Sequence, residues 1–378
     1  MAEIHGTCDE RFEPVRAAMA KNLDSGADVG ASVAIVQDDE LVVDLWGGVV
    51  DDAGTPWRND TIVNVFSTTK TMTNLSCLIL ADRGLVDLDA PVATYWPEFA
   101  ANDKERVLVR HVLGHTSGVA GFDEPMHTTD LYDWDKCCAR LAAQAPWWEP
   151  GTKSGYHAIT QGYLAGEIIR RVTGKTPGTW FGEEVAERLD ADFHIGTPAS
   201  LDQRVALLIA PESQSLPFAI DPGSIAHRIW SNPRIAPDDY RGPAWRRAEI
   251  PAANGHGNAR SVAQIQAIVS HGGVAGGRTF ISTEGIDRIF EVQMQGQPDL
   301  GVGYPLTFGI GYGLITPALP VAPIARGCFW AGMGGSMVVN DLDRRMTIAY
   351  VMNKMSTSNT GDTRGVSIMY SAYENLDR

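Results

Sequence analysis

Phe66-Ser67-Thr68-Thr69-Lys70-Thr71 is the stretch on which the reading of the fold turns. Leu75, Leu78, Ile79 and Leu80 follow at helical spacing, which puts Ser67 at the entrance of a helix and Lys70 one turn further on. Residues three apart lie over the same helix face, so the Lys70 amine falls above the Ser67 hydroxyl. A serine hydroxyl is a poor nucleophile until a neighbour takes its proton. A lysine amine can take it once burial or nearby positive charge lowers its pKa. The chain has seven lysines, and this is its only Ser-x-x-Lys. The plain alternative is an N-cap serine followed by a solvated lysine, and the stretch alone does not decide between the two.

Working outward, Phe12, Val15, Met19 and Leu23 predict an amphipathic opening helix. Ala31–Val36 and Leu41–Trp46, separated by Gln37–Glu40, predict a β-hairpin. The far end mirrors it. Ser336–Asn340 and Met346–Met352 flank a turn at Asp341–Arg345, and Val366–Leu376 predicts a closing helix. Both ends therefore supply sheet and helix, while the middle is mostly helical or loop. The expected architecture is an α/β fold of the α+β type. An antiparallel sheet is built from both termini (residues 1–95 and 255–378), and a helical region (96–254) forms the other wall of a cleft.

Two segments add to Ser67 and Lys70. Trp148-Glu149-Pro150-Gly151-Thr152-Lys153-Ser154-Gly155-Tyr156-His157-Ala158 is a turn-rich lead-in that delivers a tyrosine to the start of a helix over 162–172. A phenol can relay protons between a serine and a leaving group. Gly332-Met333-Gly334-Gly335-Ser336 is a glycine cluster that lets backbone approach a substrate closely and aim N–H groups at an oxyanion. Each has a structural alternative, a packed ring for Tyr156 and a bulge for the glycines.

Taken in order, Ser67-x-x-Lys70, Leu113-Gly114-His115-Thr116-Ser117-Gly118, Tyr156-His157-Ala158 and Trp330-Ala331-Gly332 resemble the landmarks of the penicillin-recognising serine hydrolases. That superfamily holds class C β-lactamases, DD-peptidases and family VIII carboxylesterases, and the resemblance runs over roughly residues 10–375. Trp148-Glu149-Pro150-Gly151, Asn254-Gly255-His256-Gly257 and Tyr350-Val351-Met352-Asn353 are most similar to the esterases. The resemblance implies a serine β-lactamase/DD-peptidase-like fold. It implies Ser67 as nucleophile, with Lys70 and Tyr156 sharing the acid and base roles. It implies an oxyanion hole made by the backbone N–H groups of Ser67 and Met333, and a substrate-binding wall containing His157, Ala158, Trp330, Ala331 and Gly332. No metal and no organic cofactor is required by such a reaction.

The departures matter as much. β-Lactamases and DD-peptidases carry Tyr-x-Asn, where this chain has Ala158, and Lys-Thr-Gly, where it has Trp330-Ala331-Gly332. Both changes replace polar groups that recognise an acylated amino acid with apolar surface. The expectation is a serine esterase acting on small-molecule carboxylic esters of apolar acids or alcohols. The rivals are an acyltransferase with the same residues, a weak β-lactamase or amide hydrolase, and a non-catalytic binding relative.

Composition narrows the partners. The net charge of −15 repels nucleic acid and anionic membranes, and only Arg246–Arg247 and Arg344–Arg345 pair basic residues locally. Cys8, Cys77, Cys137, Cys138 and Cys328 have no paired spacing and predict free thiols. The first twenty residues hold Glu3, Asp9, Glu10 and Glu13 without an apolar core, and no run of 18 apolar residues occurs. The expectation is a cytoplasmic protein without membrane spans, and the sequence carries no signal for oligomeric state. His111 and His115 have i, i+4 spacing but lack the glutamate of a zinc-binding H-E-x-x-H, so a structural role is expected. Lys153, the other lysine near Tyr156, is expected in solvent. Phe218, Trp230, Tyr240 and Trp245 lie in a Pro- and Ser-rich excursion (212–252) that reads equally as a pocket wall or as packing. Phe122, Met126, Tyr132 and Trp134 are expected to help form an apolar pocket.

Overall fold

Asp38 and Asp39 both sit at positive φ (51° and 69°), the conformation a tight two-residue hairpin turn requires. They join two strands of a seven-stranded sheet. In the computed structural model, which describes residues 2–211, 221–357 and 362–376, its strands are β1 (Ile4–Cys8), β2 (Gly30–Gln37), β3 (Glu40–Gly48), β4 (Gly313–Leu314), β5 (Gly327–Ala331), β6 (Met337–Asp341) and β7 (Met346–Met352). Their order is β1-β3-β2-β7-β6-β5-β4, antiparallel throughout. The first and last hairpins meet at the centre, where β2 pairs with β7 from Gln37↔Met346 to Ala31↔Met352. Phe218 lies outside the described residues.

Every residue of β7 is buried, and β2 is buried from Gly30 to Val36. A strand can be so only where both faces of its sheet are covered. The helix α1 (Glu13–Asp24) packs on the last helix, Thr363–Ser371, and the pair lies against β2 and β7. The helix over Ala259–Ser270 crosses β2, β7 and β6. The remaining long helices are α2 (Thr69–Asp82), α3 (Trp134–Ala143) and α4 (Thr160–Thr173); the two already described are α5 (Ala259–Ser270) and α6 (Thr363–Ser371).

Helix α2 is encased, with Thr69 to Leu80 all buried against α4 and neighbouring elements. Its polar first half survives burial because each side chain finds at least one partner. Thr71 donates to Thr68 O at 2.8 Å, Thr73 to Pro251 O at 2.6 Å, Asn74 to Gly311 O at 2.7 Å and Ser76 to Met72 O at 2.8 Å. Cys77, Cys137, Cys138 and Cys328 are buried free thiols, and Cys8 is half-buried. Among the described residues no helix is long and apolar enough to cross a membrane.

Candidate active site

Phe66 adopts φ +43°, a left-handed conformation that costs a non-glycine residue on the order of 1 kcal/mol or more. Its surroundings hold it there. Val65 N–H donates to Gly255 O at 2.9 Å, Gly255 N–H donates to Thr69 Oγ1 at 2.8 Å, and Thr69 Oγ1 donates to Phe66 O at 2.5 Å. The Phe66 ring packs edge-on against Tyr240 at 5.3 Å and lies 6.4 Å from Trp245. The result is a sharp turn that places Ser67 at the mouth of α2, buried except for 9% of its surface.

Lys70, one turn along α2, is wholly buried. Its Nζ lies 2.7 Å from Ala158 O, 2.9 Å from Ala252 O and 3.3 Å from Ser67 Oγ. Burial drives its pKa well below the ordinary lysine value, and no charged neighbour offsets it. Tyr156 donates its phenol O–H to Ser67 Oγ at 2.7 Å, while its ring lies 5.0 Å from Lys70 Nζ. Burial raises the Tyr156 pKa well above the usual phenol value. Burial thus favours the neutral form of both partners of Ser67. Lys153 is exposed.

The segment carrying Tyr156 is pinned from two sides. Asp299, 1% exposed, accepts the Tyr156 backbone N–H on Oδ1 at 3.0 Å, together with the N–H groups of Gly301 and Val302 at 2.8 and 3.0 Å. His115, itself at φ +60°, accepts Gly155 N–H on its carbonyl at 3.1 Å and His157 N–H on Nδ1 at 3.0 Å. Its ring stacks on Trp330 at 5.4 Å and lies 5.1 Å from Tyr156. Neither role could be read from the sequence. Asp299 stands in no motif, and His115 is visible there only as part of a landmark.

On the opposite side, β5 ends at Ala331 and turns through Gly332–Ser336 into β6. Gly332 N–H donates to Ser336 O at 2.8 Å and Gly335 N–H to Gly332 O at 3.0 Å. A Cβ on Gly332 would stand 2.2 Å from Val65 O, so only glycine lets this turn touch the one carrying Ser67. Met333 follows, part-buried, and its N–H has no partner among the described residues. Arg364 of α6 donates to Gly334 O at 2.8 Å and to Asp28 at 2.8 Å, tying the turn to the end of the chain.

Ser67, Lys70 and Tyr156 thus converge, while Gly332, just before Met333, abuts Val65 of the turn that carries Ser67, and Trp330 and Ala331 are buried on β5. Ala158 contributes its carbonyl, to Lys70, and its side chain is buried. His157 is fully enclosed. Its Nε2 pairs with Ser117 Oγ and its Nδ1 with Gly155 O, both at 2.6 Å, and burial lowers its pKa to about 3. The ring has no surface to offer a substrate.

The aromatic excursion divides by residue. Trp230 lies 6.0 Å from Tyr156 and donates to Gly301 O at 2.8 Å, whereas Tyr240 and Trp245 are packed inside on Phe66. Phe122, Tyr132 and Trp134 do not form a pocket as expected. Phe122 and Trp134 pack on Tyr163 of α4 at 6.4 and 5.2 Å, and the Trp134 indole is held by Glu167 at 2.8 Å. Tyr132 and Met126 join the same core. His111 and His115 turn to different partners, His111 accepting Leu108 N–H at 3.2 Å.

A profile described as beta-lactamase matches residues 15–369. A crystal structure of a family VIII carboxylesterase superposes with a TM-score of 0.93 at 40% identity, covering 99% of this chain and 100% of the other. A penicillin-binding protein homologue from Caulobacter crescentus gives 0.92 at 39% identity, with 99% and 100% covered. The esterase/beta-lactamase LipL of Mycobacterium tuberculosis is 36% identical over 364 residues, which span 93% of this chain and 83% of the relative.

Proposed function

The chain belongs to the β-lactamase family and is a serine hydrolase of that fold, and we propose that it hydrolyses carboxylic esters through an acyl-enzyme on Ser67. One observation carries the proposal: the Ser67 hydroxyl lies between the buried Lys70 amine and the buried Tyr156 phenol, at 3.3 and 2.7 Å, where burial favours the neutral form of each. A neutral amine has two N–H bonds and one lone pair. The carbonyls of Ala158 and Ala252 take the two N–H groups, which leaves the lone pair for the Ser67 proton.

Acylation then proceeds in a definite order. Ser67 Oγ bonds to the ester carbonyl carbon as its proton passes to Lys70 Nζ. The oxyanion is held by the N–H groups of Ser67 and Met333. The C–O bond to the alcohol breaks, and the alcohol leaves with the Tyr156 proton. Lys70 returns its proton to the Tyr156 oxygen, which restores both neutral partners. Water attacks the acyl carbonyl as its proton passes to Lys70, the C–O bond to Ser67 breaks, and Lys70 hands that proton to the departing Ser67 Oγ, which restores the free hydroxyl and the neutral amine. Asp299 and His115 hold the Tyr156 segment, and His157 serves as a buttress behind it.

The substrate class follows from what faces the site. Trp230 and Trp330 flank Tyr156 at 6.0 and 6.1 Å. The carboxylate nearest the Tyr156 backbone, Asp299, spends Oδ1 on three N–H groups. These surroundings suit a small neutral ester with an apolar acid or alcohol portion. The relatives described as family VIII carboxylesterase and as esterase/beta-lactamase support the same choice.

The test compares nitrophenyl esters from acetate to octanoate with a chromogenic cephalosporin, using wild type and Ser67→Ala. The expected result is ester turnover that Ser67→Ala abolishes in a folded protein, with little lactam cleavage. Retained turnover in Ser67→Ala overturns the nucleophile, and cephalosporin cleavage as fast as ester cleavage overturns the substrate class.

A further inference from the structure

The two N–H groups assigned to the oxyanion belong to turns 266 residues apart in sequence, one at Ser67 and one at Met333. Their separation must be correct to about 0.5 Å for both to reach one oxygen. Something must therefore register the turns against each other. We infer that Ser336 is the positioning residue that sets this spacing, an inference that rests on the esterase reading above.

Ser336 Oγ donates to Val65 O at 2.8 Å and pairs with Thr68 Oγ1 at 2.9 Å. A hydroxyl has one proton, and Val65 takes it, so Thr68 is the donor in the second bond. Val65 and Thr68 bracket Phe66 and Ser67. One hydroxyl thus grips the Ser67 turn at both ends. These are the hydrogen bonds that join residues 65–68 to residues 332–336 among the described residues.

The same residue also closes its own turn, because its carbonyl accepts Gly332 N–H at 2.8 Å with the part-buried Met333 at the corner. A Cβ on Gly332 would lie 2.3 Å from Ser336 Oγ, so the hydroxyl occupies space that only glycine leaves open. From the far side, Arg364 and Ser356 N–H hold Gly334 O at 2.8 and 2.9 Å. Ser336 is 2% exposed and cannot touch a substrate, so its effect on the reaction passes through the two turns.

The experiment measures turnover and inhibitor affinity in wild type, Ser336→Ala and Thr68→Val. A misplacement of about 1 Å in a catalytic contact costs roughly 100-fold in rate. Ser336→Ala is therefore expected to lose about 10- to 100-fold in kcat with KM nearly unchanged. A trifluoromethyl ketone, which forms a tetrahedral adduct, should weaken by the same factor as kcat/KM. The matching methyl ketone, which binds as a ground state, should keep its affinity. Thr68→Val leaves the bond to Val65 in place and should show a smaller loss of the same kind; it carries the test if Ser336→Ala does not fold. Equal weakening of both ketones, or undiminished kcat in both variants, overturns the inference. Labelling of wild type with a fluorophosphonate separates it from the esterase reading. No adduct on Ser67 overturns both, whereas an adduct on Ser67 with full turnover in the variants overturns this inference alone.

Discussion

The Tyr156 phenol lies 2.7 Å from the Ser67 hydroxyl, and the burial that raises its pKa also lowers that of Lys70. Burial penalises the charged form of each group, and the charged forms lie on opposite sides of neutrality. One buried setting therefore prepares a base and an acid together. The expected pH profile of kcat/KM has a single acid limb. Activity falls as pH drops through the depressed Lys70 pKa, because protonation removes the lone pair that faces Ser67. No alkaline limb is expected below about pH 10, the ordinary tyrosine value. Stopped assays from pH 4 to 10 check this. Activity that rises only near pH 10, where an ordinary lysine loses its proton, contradicts the assignment.

If Tyr156 supplies the proton to the departing alcohol, its removal should matter most where that alcohol leaves poorly. Tyr156→Phe is expected to lose about 10²- to 10⁴-fold in kcat on alkyl esters, the usual worth of general acid catalysis. Nitrophenolate leaves without a proton, so the loss on nitrophenyl esters should be at least tenfold smaller. Equal losses on ethyl and nitrophenyl esters would instead make Tyr156 a partner of the attack step.

What could be read from sequence was local, and what escaped was long-range. Ser67 and Lys70 are three residues apart at the entrance of one helix, so their spacing set the two side chains over one face, although that stretch alone left an N-cap serine and a solvated lysine open. The turn within Gln37–Glu40 and the Met346–Met352 strand announced themselves through turn residues and β-branched runs, and one sheet from both termini was expected; that the two hairpins meet through β2 and β7 is visible only in the structure. β1 was missed. Ile4–Cys8 pairs with β3 at the sheet edge, and its burial pattern lacks the alternation of a half-buried strand. Asp299 and Tyr156 lie 143 residues apart and Ser336 and Val65 lie 271 apart, and no periodicity encodes such pairs. The aromatics near Phe122 misled because a ring that fills a helical core and one that lines a pocket look alike in sequence. Only the partner, Tyr163 of α4, distinguishes them.

Asp299 offers a separable test of how the Tyr156 segment is held. Asp299→Ala strands three buried N–H groups and is expected to cost on the order of 3 kcal/mol of stability, with kcat falling as Tyr156 shifts. Asp299→Asn keeps an oxygen acceptor and should retain most of both. Its lost negative charge, which otherwise raises the Tyr156 pKa, should let the phenol ionise at lower pH than in wild type. Thermal melts paired with alkaline activity profiles read the two effects apart. An Asn variant as damaged as Ala would mean that the carboxylate charge, not its acceptor oxygen, holds the segment.

Lys70 should leave a signature in stability as well as in rate. Its folded pKa is depressed and its unfolded pKa is the ordinary value near 10.4. Between the two, the unfolded chain binds a proton that the folded chain does not, so folding stability rises with pH across that window. The slope approaches about 1.4 kcal/mol per pH unit for one proton. Below the folded pKa both states are protonated and the folded protein bears the whole cost of a buried ammonium. Lys70→Met removes the titration while filling similar volume, although it leaves the carbonyls of Ala158 and Ala252 without their donor. The variant is expected to be inactive. Urea melts at several pH values should show wild type losing stability relative to Lys70→Met as the pH is lowered from 10 toward neutrality. A constant difference over that range would mean that Lys70 keeps its proton in the folded protein, and the lone pair assigned to the Ser67 proton would not exist.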